Sequence, residues 1–317
     1  MTHNANTEGF LVRQPGLMTL IQDAGRFGQH GIGLTCGGPL DAEAFGWANR
    51  LCGNDERATA LEVSFGGLTL EAQTTTRLAV TGAEIPLSIN GQEKELWRSH
   101  PVNAGDVIEL GYATQGCRAY LAVAGGFDIP HSFGSAATVS RESIGGLNGG
   151  KLEPNDFLAC AATSAKGCLA LADKHRPTYG TEAHLRVILG YQKQAFSDLQ
   201  IARFFNSEYT TTDRSDRMGY RLNGPEIKPA IDGILSEGIC HGAIQVPADG
   251  QPIILLNDRQ TIGGYPKLGS VLSLDTAKLC QLTPGATITF EAITIDDAHN
   301  LHLLAKHRTS VTEPEAC

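Results

Sequence analysis

A weak internal repeat, at an offset of about 175 residues, constrains this chain more than any other feature of its sequence. Phe10-Leu11-Val12 corresponds to Leu185-Arg186-Val187, Asp23 to Asp198, Glu62 to Glu237, and Leu78-Ala79-Val80 to Ile253-Ile254-Leu255. Each glutamate stands five residues before a glycine, Gly67 in the first half and Gly242 in the second. The register then slips by five, so that Asn103–Ile108 meets Thr283–Ile288. The slip follows Gly263-Gly264-Tyr265-Pro266-Lys267, which reads as an inserted loop. Two related units joined near Asp173 to Ala183 satisfy this pattern. That places one domain over 1–175, a second over 176–295 and a polar, partly helical tail over 296–317.

The repeating unit reads as β. Leu68–Glu71, Arg77–Val80, Pro86–Ile89, Val107–Leu110 and Arg118–Val123 are short apolar or alternating runs between turn residues. Asn90-Gly91 suits a type I′ hairpin turn, because both residues tolerate positive φ. Many of the 37 glycines fall at such punctuating positions. Few helices are expected. The clearest runs from Asp41 to Cys52, with Asp41 as N-cap, Gly53 beyond its end, and Ala44, Trp47, Ala48 and Leu51 on the buried face. Others are expected over Ser197–Phe205 and from near Asp275.

Composition excludes several functions. A net charge of −9 argues against nucleic acid, which calls for a basic face. No apolar run is long enough to span a bilayer, so no membrane partner is expected. The opening residues Met1-Thr2-His3-Asn4-Ala5-Asn6 lack the regions of a signal peptide, which implies a cytoplasmic protein. In that setting Cys36, Cys52, Cys117, Cys160, Cys168, Cys240, Cys280 and Cys317 should stay reduced, most of them as small core residues. No Cys-x-x-Cys occurs, and no metal site is expected. Gly145-Gly146-Leu147-Asn148-Gly149-Gly150-Lys151 has Walker A spacing, but Leu152 stands where a hydroxyl should hold magnesium. It reads instead as a glycine-rich loop on a β-scaffold. Gly31-Ile32-Gly33 starts like a dinucleotide fingerprint, but Cys36 replaces its third glycine. His299, His302 and His307 read as solvated residues of a surface helix.

Three polar segments exceed what plain turns need. They are Ile21–Gly28 with Gly37–Asp41, Ser215–Leu222, and Leu255–Lys267. Each gathers Asp, Arg, Gln, Tyr or Lys around glycines, a set of donors suited to an amide, ureido or carboxylate group. The plainer alternative is that their Asp–Arg pairs tie loops together.

At these segments the chain resembles the allophanate hydrolase subunit 2 / biotin-dependent carboxyltransferase family. The resemblance rests on Gln22-Asp23-Ala24-Gly25-Arg26-Phe27-Gly28, Ala48–Asn54, Leu61-Glu62-Val63 and Leu121–Asp128. Ser215–Leu222, Ser236-Glu237-Gly238, Gly242–Pro247 and Asp258–Lys267 complete it, over residues 10 to 292. It implies a mainly β fold of two tandem cyclophilin-like β-barrel domains with a few short helices. For stand-alone members it implies one component of a 5-oxoprolinase assembly, which works with B and A-like partner subunits to open 5-oxo-L-proline to L-glutamate with ATP. Whether ATP sits on this chain is left open. No Ala-Met-Lys-Met biotinylation motif is present, the methionines being Met1, Met18 and Met218, so no biotin is expected on this chain. The motifs nominate Asp258, Lys267, Glu237 and Tyr265 for catalysis. They nominate Arg217, Gln260, Gln245, Arg26 and Asp23 for substrate binding, the last two in a cleft between barrels. Alternatives are a carboxyltransferase subunit of a biotin-dependent urea or amide carboxylase, and a non-catalytic regulator of the kinase-inhibitor-antagonist type.

Overall fold

The computed structural model describes residues 8–164, 167–231 and 233–317. The polar segment 1–6, weighed above against a signal peptide, lies outside them. Two compact units emerge. The first holds Met1–Arg26, Gly37–Thr178 and Glu313–Cys317; the second holds Phe27–Cys36 and Tyr179–Thr312.

The second unit is a closed ring of seven strands. Strand Glu182–Leu189 alternates inward Ala183, Leu185 and Val187 with outward His184 and Arg186, as a half-buried strand must. It pairs antiparallel with Lys267–Val271 on one side and parallel with Thr287–Ile293 on the other, and the parallel pair completes the ring. Closure leaves no exposed edge along these strands. Phe204, Tyr209 and Phe290 pack together, all buried, the Phe204 and Phe290 rings stacked at 4.2 Å. Helix Ser273–Cys280 starts two residues before the expected Asp275, because Asp275 is no cap. It is fully buried and accepts hydrogen bonds from Arg186 Nε at 2.8 Å and Nη2 at 2.6 Å.

The first unit departs from the expected second barrel. Its strands form a six-stranded and a five-stranded sheet, each with its own edges, rather than one hydrogen-bonded ring. Phe10, Leu70, Val80, Ile108 and Leu121 belong to its buried apolar core. Helix Ala42–Leu51 forms as read: Asp41 caps it through Ala44 N at 3.0 Å, and Trp47 is core. Asn90 and Gly91 both have positive φ between strands Leu87–Ile89 and Gln92–Lys94. The repeat survives as strand for strand at Phe10/Leu185, Glu62/Glu237 and Leu78/Ile253, whereas Asp23 is a loop residue and Asp198 opens a helix.

The 296–317 segment is more ordered than a tail. Thr294 and Asp297 form a capping box for helix Ile295–Val311, and Glu315–Ala316 then pairs with Leu169–Ala170 of the first unit. Here the expectation of eight free thiols fails: that pairing brings Cys168 and Cys317 to a Cα separation of 5.1 Å, and they form a disulfide. Sequence spacing gave no hint, because the bond spans 149 residues. Cys52 and Cys160 match the core reading, burial pushing their thiols up to about 12 and about 11. A two-stranded pairing this short is marginal by itself, so the covalent link is what secures the segment. Replacing Cys317 with Ser is expected to lower stability by about 2–4 kcal/mol. The check is the thermal midpoint, which reductant should lower in the parent protein and leave unmoved in the variant.

Candidate functional site

The nine residues singled out from sequence divide between the units. Asp23 and Arg26 belong to the first, and the other seven to the second.

Asp23 and Arg26 tie one loop together. Asp23 accepts from Ser135 Oγ at 2.6 Å and from the amides of Ala136 at 2.7 Å and Gly25 at 2.8 Å. Arg26 is buried and donates to the carbonyls of Ser132 at 2.9 Å and Ala137 at 3.0 Å. This is the loop-tying role. The Gly145–Lys151 loop is also structural. Gly146 N donates to Ala136 O and Gly149 N to Gly145 O, both at 2.8 Å. A Cβ on Gly145 would lie 1.9 Å from Ala137 O, so a glycine is needed there for the two backbone segments to meet.

In the second unit Arg217 and Asp258 form a buried two-pronged pair, Nε to Oδ2 at 2.9 Å and Nη2 to Oδ1 at 3.0 Å. Asp258 N also donates to Arg217 O at 2.9 Å, so backbone and side chains together join the turns after Tyr209–Ser215 and Ile253–Leu255. Arg259 is likewise buried, holding the carbonyls of Ile239 at 3.1 Å and Leu256 at 3.2 Å.

The reactive-looking group gathers around Glu237. The short strand Glu237–Gly238 pairs with Ile262–Gly263, Glu237 opposite Gly263, and Lys267 opens the neighbouring barrel strand opposite Gln245. Lys267 Nζ donates to Glu237 Oε1, as does the Tyr191 hydroxyl. Gln192 bridges them, its Nε2 donating to Glu237 Oε1 at 2.7 Å and its Oε1 accepting from Lys267 N at 2.8 Å. The Lys267 hydrogen bond, then that of Tyr191, holds the Glu237 carboxyl below its ordinary range. The same contact raises the Tyr191 phenol. Near neutrality the cluster therefore holds a carboxylate and an intact phenol beside the Lys267 side chain. Such a set offers positive charge to an oxygen and an acceptor to an N–H, but no carboxylic acid. Among the described residues, neither Gln260 nor Tyr265 hydrogen-bonds to this cluster, and Tyr265 is exposed.

Tyr191 and Gln192 escaped the sequence reading. They follow strand Glu182–Leu189 with no motif spacing to mark them, and they meet Glu237 only across 45 residues or more of chain. His241 escaped as well. Burial holds its imidazole down at about 4, the Arg259 charge adds to the effect, and the hydrogen bond to Asn257 Oδ1 at 3.0 Å opposes it. An unfolded imidazole takes up its proton near 6.5. Between these values the unfolded chain binds more protons than the folded one, so stability falls as pH drops through that window. We expect a loss approaching about 1.4 kcal/mol per pH unit there. Urea midpoints between neutrality and the lower value should show it, and His241→Gln should flatten the dependence.

Residues 32–292 match the carboxyltransferase domain, subdomain A and B family, and the chain belongs to that family. It is 36% identical over 286 residues to the C subunit of 5-oxoprolinase from Escherichia coli, covering 89% of this chain and 91% of that protein. It is 35% identical over 283 residues to the C subunit of 5-oxoprolinase from Haemophilus influenzae, covering 89% and 90%. Among solved structures, K. lactis urea amidolyase superposes with a TM-score of 0.88 at 30% identity, over 95% of this chain. This chain spans only 20% of the length of that enzyme. Among the described residues no helix is long and apolar enough to cross a membrane.

Proposed function

We propose that this chain is a subunit of an ATP-dependent 5-oxoprolinase complex that converts 5-oxo-L-proline to L-glutamate. The observation that carries the reading is the 36% identity to the C subunit of a 5-oxoprolinase, along 91% of that protein's length. The site chemistry is compatible. An unstrained lactam is a poor electrophile, and its opening places negative charge on the carbonyl oxygen. Lys267 supplies a fixed positive charge for that oxygen, held in place by Glu237 and by the Gln192 contact to its own backbone amide. A preformed charge of this kind acts without reorganising when the reaction occurs. Glu237, kept ionised by Lys267 and Tyr191, accepts the lactam N–H or orients the attacking water. Tyr191 and Gln192 position Glu237, and Arg217 with Asp258 keeps the neighbouring turns in place.

ATP belongs, in this reading, to the A-like or B partner subunits. In the loop with Walker-type spacing the amides of Gly146 and Gly149 already bond carbonyls, which supports this reading. Activity is therefore assigned to the complex and not to this chain by itself.

The second reading, a biotin-dependent carboxyltransferase component that acts on urea or another amide, is favoured by the urea amidolyase likeness. The two separate in one preparation. The complex isolated through this chain should release glutamate from 5-oxoproline with ATP and should contain no avidin-reactive partner. A stoichiometric biotinylated partner without glutamate release would replace the first reading with the second.

A further inference from the structure

Beside the Lys267–Glu237 pair lies a buried amide donor with nothing to donate to. Gln245 is 1% exposed, and its Nε2 has no hydrogen-bond partner among the described residues. Buried N–H groups are nearly always paired, because leaving one unmade forfeits its hydration without replacement. Gln245 sits directly opposite Lys267 in the ladder, so both side chains rise from the same face of the barrel wall. Gly263, opposite Glu237, lies against it: a Cβ added there would stand 2.7 Å from Gln245 Nε2 and 2.5 Å from Ile239 Cδ1. The glycine thus leaves the amide room to lie at the edge of the charged cluster.

From these contacts we infer that Gln245 Nε2 is the donor that captures the carbonyl oxygen of a neutral amide, with Glu237 accepting that amide's N–H. The inference rests on the proposed amide chemistry of this site but does not require that the amide be 5-oxoproline. An amide needs one donor and one acceptor; Gln245, opposite Lys267 in the ladder, supplies the donor, and Glu237, bonded to Lys267, the acceptor. Glu237 would repel an ionised carboxylate at the same place, so the recognised oxygen is the neutral carbonyl. Lys267 stands ready for the charge that this oxygen acquires as the bond breaks.

The test is calorimetric binding of 5-oxoproline, 2-pyrrolidinone and urea to the full chain, with thermal midpoints measured alongside. The parent chain is expected to bind 2-pyrrolidinone, which shares the lactam and lacks the carboxylate. Gln245→Leu should weaken that binding at least tenfold while leaving the midpoint unchanged or higher, because an unpaired donor has been removed. Gln245→Met, which fills similar volume without a donor, carries the same binding test if the Leu variant fails to fold. Binding within twofold of the parent in the folded variants would overturn the assignment, as would a parent chain that binds none of the three probes. Urea binding lost on Gln245 substitution, without lactam binding, would keep the Gln245 role and discard 5-oxoproline as the substrate.

Discussion

Replacing Lys267 with Ala is expected to lower turnover of the assembled complex by about 10²–10³-fold, the range seen when one preorganised donor to a developing oxyanion is removed. The side chain is nearly buried, and its ammonium is fixed on Glu237. Its contribution should therefore appear in kcat more than in KM, since the charge it meets is larger in the transition state than in the bound lactam. Lys267→Arg keeps the charge but changes its reach and should recover only part of the loss. Glu237→Gln provides the matching control. It removes the partner that holds Lys267 and should also reduce kcat, but its pH profile should lose the acid limb set by Glu237 ionisation. Unchanged turnover in Lys267→Ala, with the complex intact, would take this residue out of the chemistry.

The largest stability effect is expected at Arg217 and Asp258. Removing one member of a buried ion pair leaves the other charged and desolvated, which costs about 3–5 kcal/mol. Arg217→Met or Asp258→Leu should each produce a loss of that size in urea unfolding. The double variant should recover much of it, because no uncompensated charge remains. Single variants near parental stability would mean that the pair is open to solvent in solution, contrary to its 7% side-chain exposure on both sides. The comparison also separates two roles that the sequence reading left joined. If Asp258 only joins the turns, the double variant should retain substrate binding even where turnover falls.

Local signals were legible in the sequence. Asp41 as N-cap, the Asn90-Gly91 turn and the strand Arg118–Val123 depend on neighbouring residues, and each formed as read. At the offset of the repeat, Phe10 and Leu185, and Glu62 and Glu237, all fall on strands, whereas Asp23 and Asp198 do not. What depended on distant pairing was not legible. The parallel pairing of Glu182–Leu189 with Thr287–Ile293 joins segments about 105 residues apart, and no local pattern encodes it. The same limit hid Tyr191 and Gln192, whose contacts with Glu237 are distant in sequence, and hid the Cys168–Cys317 bond. Motif membership nominated Lys267, Glu237 and Gln245, and the structure places Lys267 against Glu237 and opposite Gln245. The motifs could not distinguish them from Asp23 and Arg26, whose polar atoms are engaged by the 132–137 loop.

The proposed function requires this chain for ATP-driven opening of 5-oxoproline. The most direct measurement is glutamate released from 5-oxoproline by the purified A-like and B partner subunits, with ATP, in the presence and absence of this chain. Glutamate that appears only when this chain is added, and that falls by about 10²-fold or more with the Lys267→Ala chain, is the predicted result. Equal glutamate without this chain, or none from a fully assembled complex, would contradict the account.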